Sequence, residues 1–473
     1  MPVRNRFRRA AMLIAAANFL APCTALAQSA AEPPAQPPAQ PPVPPPAQPT
    51  DAPAPAHAEP APTDPAIGPA EPGVNEPFLT FNPNYYDFSP GDNPTDPVAE
   101  IDEAFARRKG MITVPGLTPA IDFIRKPLDD LFEATGLRIA IAYTLLFQQA
   151  SAGPGDRTAA AGDLDFMSDW TILGRGTLNT GRLIVTGEYR HKIGDITPNA
   201  LGPEIGTLQR TTGGFNDRGW AVRDLHWVQS LFDGRFRVLV GRADVSDYVG
   251  GHRLQSINNS FSNRNFSSDS TTAYPAGHVF TLGGSVRPVD WFYVTGGAAN
   301  AYGTSTTSDL QSLDQHEYFT FGEVGFTPSI KGLGWGRYAV LIWNMDQRDL
   351  LNLPSDNGYT FIIEQDFSDR FQIFARYGWA NDGALTGIKS SGQFGMGYRG
   401  LLGNPLNLTG AAVGISEPAN STLRDETVVE VFHRFQLTDN SQFSVGIQGI
   451  FDPSNAPEDD ALAVLTLRFR IAF

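Results

Sequence analysis

From Leu137 to Phe473 the chain alternates apolar and polar residues with a period of two, and the polar positions carry charge in one segment after another. Leu137, Ile139, Ile141, Tyr143, Leu145 and Phe147 form one row, with Arg138, Ala140, Ala142, Thr144 and Gln148 between them. A period of two places successive side chains on opposite faces of a strand. The pattern returns at Leu164, Phe166, Trp170 and Ile172 against Asp163, Asp165 and Asp169, and at Leu183, Val185 and Tyr189 against Arg182, Glu188 and Arg190. Arg235 and Arg237 beside Phe236 and Val238, and Arg376 beside Ile373 and Tyr377, continue it. A soluble sandwich also alternates, so the charges decide. They suit a barrel whose apolar rows meet lipid while a water-filled lumen solvates the opposite face. The expected fold is all-β, a transmembrane antiparallel β-barrel of about 16 strands, an even number within a candidate range of roughly 14 to 18.

The final strand is the sharpest instance. Leu465, Leu467, Phe469, Ile471 and Phe473 share one face, with Thr466, Arg468 and Arg470 on the other. A closing aromatic strand of this form is expected to engage the barrel assembly machinery. The same apolar edge would be an aggregation hazard in a soluble protein.

A helical span needs about 20 consecutive apolar residues, and past the extreme N-terminus there is no such run. Residues 1–27 read as a secretory signal, with Arg4, Arg6, Arg8 and Arg9 as its basic region, Met12 to Ala21 as its apolar core and Ala25-Leu26-Ala27 as its cleavage site. Pro22 disfavours lipoprotein cleavage before Cys23, the only cysteine, which then leaves with the signal. Residues 28–76 are rich in Pro, Ala and Gln and read as a disordered, polyproline-like periplasmic spacer.

Residues 77–136 read as a periplasmic segment with two short helices, and residues 137–473 as the barrel domain. Val98, Ile101 and Phe105 recur at helical spacing in the first helix. In the second, Pro127 is expected as the first helical residue, Leu128, Leu131 and Phe132 form an apolar stripe, and Gly136 terminates it. The helices could plug the periplasmic mouth, but plain packing against the barrel is the expected role. A net charge of -15 argues against a nucleic-acid partner, which requires a basic face.

The stretch Leu225-x-Trp227-x-Gln229, then Asp233-Gly234-Arg235 and Val240-Gly241-Arg242-Ala243-Asp244, resembles the carbohydrate-selective porins of Gram-negative outer membranes. So do Thr427 through Leu437, Gln448, Phe451-Asp452-Pro453, the closing Leu467-Arg468-Phe469-Arg470, and Phe374-Ala375-Arg376-Tyr377-Gly378. Two departures are His433, where the family has Tyr, and a glycine pair kept only loosely by Gly153 and Gly155. The resemblance implies passive diffusion of small sugars through a water-filled pore narrowed by an inward loop. It also implies contact with outer-membrane lipid; porins often assemble as trimers, which makes a homotrimer one candidate assembly.

Strand parity gives Arg182, Glu188, Arg190, Arg235, Arg237, Arg376, Glu430, Arg434, Arg468 and Arg470 as inward candidates for contact with sugar. Arg376, Glu430 and Arg434 come first because they lie in family-like motifs. Arginine's fork can bridge adjacent hydroxyls, although any one of these groups is more simply a solvated lumen ion pair. Ser246 to Ala276 is too long for an ordinary hairpin connection. If it folds inward, as the resemblance implies, Tyr248, His252, Arg253, Asn258, Asn259, Arg264, Asn265 and Tyr274 would build the constriction.

The alternatives are a general diffusion porin without sugar selectivity, a structural barrel tethering the envelope, and a barrel enzyme. Few lysines argue against a phosphate pore, and no histidine sits in a recognisable catalytic motif. Asp163 with Asp165, and Glu458 with Asp459 and Asp460, read as acidic turns lacking the full ligand set of a calcium loop. No metal and no cofactor is expected.

Overall fold

A computed structural model describes residues 79–81, 97–105, 109–114, 117–275 and 277–473. The expected signal and Pro-rich spacer lie outside the described residues. Alternation is realised as sixteen barrel strands. They are β1 (Leu137–Ala150), β2 (Thr158–Leu173), β3 (Gly181–Lys192), β4 (Gly219–Leu231), β5 (Phe236–Ala243), β6 (Val279–Val289), β7 (Phe292–Asn300) and β8 (Tyr318–Phe326). The second half comprises β9 (Gly334–Met345), β10 (Asp356–Asp366), β11 (Phe371–Ala380), β12 (Ile388–Arg399), β13 (Leu408–Pro418), β14 (Glu426–Gln436), β15 (Ser441–Phe451) and β16 (Ala461–Ala472). Each pairs antiparallel with its sequence neighbour, and β16 closes on β1 from Val464↔Ala150 to Ala472↔Ala142. Closure leaves no barrel edge unpaired.

Short turns join strands at one rim and longer connections at the other, which by the usual asymmetry of such barrels marks the short-turn rim as periplasmic. Two three-residue strands, Leu79–Phe81 and Pro328–Ile330, pair with each other at that rim. The outward rows expose large apolar side chains, among them Leu282, Ile342, Phe361, Ile415 and Ile447. Aromatic pairs mark both ends of this band. Tyr189 with Trp220 (5.0 Å) and Tyr359 with Trp379 (5.4 Å) lie near the long-loop rim, and Trp291 with Phe326 (5.9 Å) near the other. Such girdles suit a lipid interface, where a ring needs one apolar and one wet side.

Helix α1 (Pro97–Phe105) forms where expected, but its seat is the inside of the barrel. Its buried Ile101 and Ala104 pack on Ala140, Ala142 and Met167, which belong to the inward rows of β1 and β2. Its acidic face meets barrel groups: Glu100 pairs with Arg470 (3.1 Å) and Glu103 accepts from Gln442 (3.0 Å). The helix thus narrows the periplasmic mouth from within.

Helix α2 (Leu117–Thr135) corrects one expectation. Pro127 lies in its interior, and the proline in the first turn is Pro119, where a missing backbone donor costs nothing. Gly136 does end the helix, at φ +76° and with its N–H on the Phe132 carbonyl (2.8 Å), the left-handed geometry that glycine supplies without steric cost.

Candidate functional site

The long connection after β5 turns into the lumen, and most residues from 245 to 275 are buried. Two kinds of contact hold it there. Apolar side chains of the loop, Leu254, Phe261 and Phe266, pack on Phe374, Leu408, Ala412, Val428 and Phe432 from the inward rows of β11, β13 and β14. Phe261 meets Phe432 edge-on at 4.9 Å, and His252 stacks on Phe374 at 3.8 Å. Inward aromatic residues on a pore wall gain nothing from water, and their burial under the loop explains why the loop folds inward.

Charged wall residues supply the second kind. Glu430 accepts the backbone N–H groups of Ser262 (2.8 Å) and Asn263 (2.9 Å). Arg376 donates to the carbonyls of Gly250 (3.1 Å), Asn265 (3.3 Å) and Ser268 and to Gln393 Oε1 (3.1 Å). Arg434 donates to the Asn259 carbonyl (3.2 Å), and Arg468 to those of Ser260 (2.6 Å) and Ile257. A loop lacking regular backbone pairing must find partners for its peptide groups, and these side chains provide them. Arg376, Glu430, Arg434 and Arg468 therefore hold the loop in position, and none of the four lines the open space beside it.

That space is a cavity of about 280 Å³. One wall is basic: Arg190 from β3, Arg218 from the end of the preceding connection and Arg223 from β4. Facing it are Asp247, Asp269, Tyr274 and Asn258 of the loop, with Glu100 of α1. Arg223 reaches across to Asp247 (2.6 Å). A β-bulge creates this reach, because the β3–β4 register shifts between Thr186 and Gly187. Two residues then oppose one, and the bulged strand re-aims a side chain. Arg223 and Asp224, adjacent in sequence, both find charged partners within the barrel.

Arg182 bonds Asp169 on the inward wall, Arg190 spans Asp163 (2.9 Å) and Glu188 (2.5 Å), and Arg237 shares the inward row with buried Leu239. Arg470 joins Glu100 and Thr144. Arg235 is corrected: it lies in the turn before β5, half exposed and paired with Asp290 (2.7 Å), because that strand begins at Phe236. Asp163 and Asp165 lie on the inward row of β2 and form no turn. In the loop, Arg253 pairs with Asp366 and Glu364, Asn258 and Asn259 bond Glu100 and Glu103 of α1, and Arg264 and Asn265 open a short helix, Arg264–Ser267. Tyr248 donates to or accepts from His226 (2.9 Å), and Tyr274 donates to the Val249 carbonyl (3.0 Å).

Sequence reasoning missed Arg218, Arg223 and Asp247, and also a second inward connection. Residues 193–218 brace the constriction through Gln209 on Glu426 (2.8 Å) and Thr211 on Gln148 (2.8 Å). The Arg223-Asp224 pair inside an otherwise alternating strand was the available signal for the bulge.

His252 gives the loop a pH dependence. Burial, then the nearby Arg376, hold its pKa well below the ordinary value. Its Nε2 meets the Phe266 carbonyl (2.8 Å) while Nδ1 accepts from Leu254 N–H (3.2 Å), an arrangement only the neutral ring satisfies. Docking is therefore complete above about pH 6.5, the value of a solvated imidazole, and weakens as pH falls below it toward the docked-state value. Single-channel recordings stepped from pH 8 to pH 5 should become noisier, and His252→Gln should flatten that change.

Residues 175–473 match the family model described as carbohydrate-selective porin, OprB family. The high-pH structure of Pseudomonas putida OprB is similar with a TM-score of 0.62 at 15% identity, covering 74% of this chain and 97% of that one. The low-pH structure of the same protein gives 0.47 at 15% identity over 77% and 99%, and a mutant Rh. blastica porin 0.45 at 12% over 71% and 100%. No curated protein sequence matches the chain.

Proposed function

The chain belongs to the carbohydrate-selective porin, OprB family, and we infer that sugars are selected in the cavity between the Arg190–Arg218–Arg223 wall and the inward loop. The protein is an outer-membrane carbohydrate porin of a Gram-negative bacterium, a passive channel and not an enzyme. The observation that carries the inference is a cavity of about 280 Å³ lined by the Arg190, Arg218 and Arg223 guanidiniums together with the Asp247, Asp269 and Glu100 carboxylates. A sugar hydroxyl donates and accepts at once, so a ring of hydroxyls can satisfy both walls, where an ion satisfies only one.

The wall residues differ from those that hold the loop. Arg376, Glu430, Arg434 and Arg468 act by shaping the cavity, whereas Arg218 and Arg223 contact the permeant. Arg223→Gln removes a charged donor and is expected to weaken sugar block of the ion current by about tenfold or more, with Arg223→Lys intermediate because it keeps charge but not the fork. An unchanged blocking constant in Arg223→Gln would place selection elsewhere.

The same reading has the chain exported by the signal ending near Ala27, with residues 28–76 as a periplasmic spacer and residues 77–136 as a segment that caps the mouth. It has the strand ending at Phe473 engage the barrel assembly machinery and the protein assemble as a homotrimer. Crosslinking in native membranes tests the last point.

A further inference from the structure

Beneath the basic wall lies a cluster that sugar transport does not use. Asp165 of β2 sits directly opposite Glu188 of β3, and Asp163 follows on the same inward row. All three side chains are buried, with 0%, 1% and 0% of Asp163, Asp165 and Glu188 exposed. One carboxylate oxygen from each lies within 4.8 Å of the others. Like charges directly opposite on neighbouring strands repel, and burial leaves water little room to screen them.

Cations meet part of this charge. Arg190 spans Asp163 and Glu188, and Arg218 takes the other oxygen of Glu188. Asp165 receives neither. Among the described residues both of its oxygens are buried without a hydrogen-bond partner, and it has no ion pair. Arg223 and Arg470 act on it only at longer range and are engaged with Asp247 and Glu100. Asp165 is thus left without a partner of its own where the three groups converge.

We propose that Asp163, Asp165 and Glu188 bind a divalent cation, calcium in preference to magnesium, in the lumen wall. Calcium accepts carboxylate oxygens at about 2.3–2.6 Å in flexible geometry and binds a carboxylate through one or both oxygens, so three carboxylates offer up to six ligand atoms. Magnesium keeps several of its waters and is usually held by one or two carboxylates in a near-ideal octahedron, so a set of three carboxylates suits calcium better. The set is invisible as a linear motif because Asp163-x-Asp165 contributes only two ligands and the third comes from the neighbouring strand. The ion relieves the Asp165–Glu188 repulsion.

The test is calorimetric titration of Ca²⁺, and separately Mg²⁺, into the full chain folded in detergent, freed of lipopolysaccharide and stripped with a chelator. Asp165→Asn and Glu188→Gln are run beside it, and the heat-dependent gel shift of an intact barrel confirms the fold of each. The expected result is one Ca²⁺ per chain, with affinity lowered about tenfold or more in both variants and Mg²⁺ binding weaker. Absence of Ca²⁺ binding to the unsubstituted chain overturns the proposal. So does binding that both folded variants retain unchanged, which would put the ion at another acidic site such as Glu458, Asp459 and Asp460.

Discussion

A chain lacking residues 252–272 is expected to conduct several-fold more current per channel than the intact protein and to lose its preference among small solutes. The sixteen-strand wall does not depend on this segment, because every strand pairs with its neighbours through backbone bonds and β16 closes on β1. A barrel of that strand number encloses an aqueous bore, and here the bore is filled by the loop. The loop's seat comprises Phe374, Leu408 and Phe432 and the polar grips of Arg376, Glu430 and Arg434. Removing the segment returns those groups to water, which the charged ones tolerate and the aromatic ones tolerate less well. Bilayer recordings check the conductance, and the gel shift of unheated protein checks that the barrel persists. A deletion that folds and conducts like the parent would mean that the loop does not set the bore.

Glu100→Ala is expected to free the periplasmic mouth. Glu100 is 3% exposed and bonds both the Arg470 guanidinium and, at 3.2 Å, Asn258 of the inward loop. Removing one partner of a buried pair strands the other, at about 3–5 kcal/mol, while truncation leaves the apolar contacts of Ile101 and Ala104 in place. A nine-residue helix is marginal by itself, so the loss is large relative to what seats it. Conductance should rise, with faster fluctuations, and α1 should become open to proteolysis from the periplasmic side. Replacing Arg470 by Met together with Glu100→Leu should restore protection, since a well-packed apolar pair of similar volume replaces a buried ion pair without penalty. Unchanged protease resistance in Glu100→Ala would show that apolar packing alone seats the helix.

Much of the barrel was legible because its signal is local. Leu137 through Phe147 state the face assignment of β1 without reference to any other strand, and the structure keeps it. Gly136 announced its helix end through one dihedral angle. What was not legible depends on pairing between segments. The amphipathic spacing of Val98, Ile101 and Phe105 shows that α1 buries a face, yet lipid, lumen wall and solvent-side packing all suit such a face. Arg376 and Glu430 lie on inward rows, but nothing in their own strands says that a loop more than a hundred residues earlier occupies their donors and acceptors. Arg223 escaped parity because a bulge suspends it, and Arg218 because it precedes its strand. Asp163 and Asp165 looked like a turn until the register of β3 brought Glu188 beside them.

The central claim is that sugars pass by diffusion through a constriction that prefers them. Liposomes carrying the purified chain, placed in isotonic solutions of a hexose, a disaccharide and amino acids of hexose size, measure it through swelling rates. Faster entry of the hexose than of the equally sized amino acids, lost when residues 252–272 are removed, is the predicted result. Equal rates for sugars and amino acids would contradict selectivity, and liposomes that do not swell in any of the solutions would contradict a channel altogether.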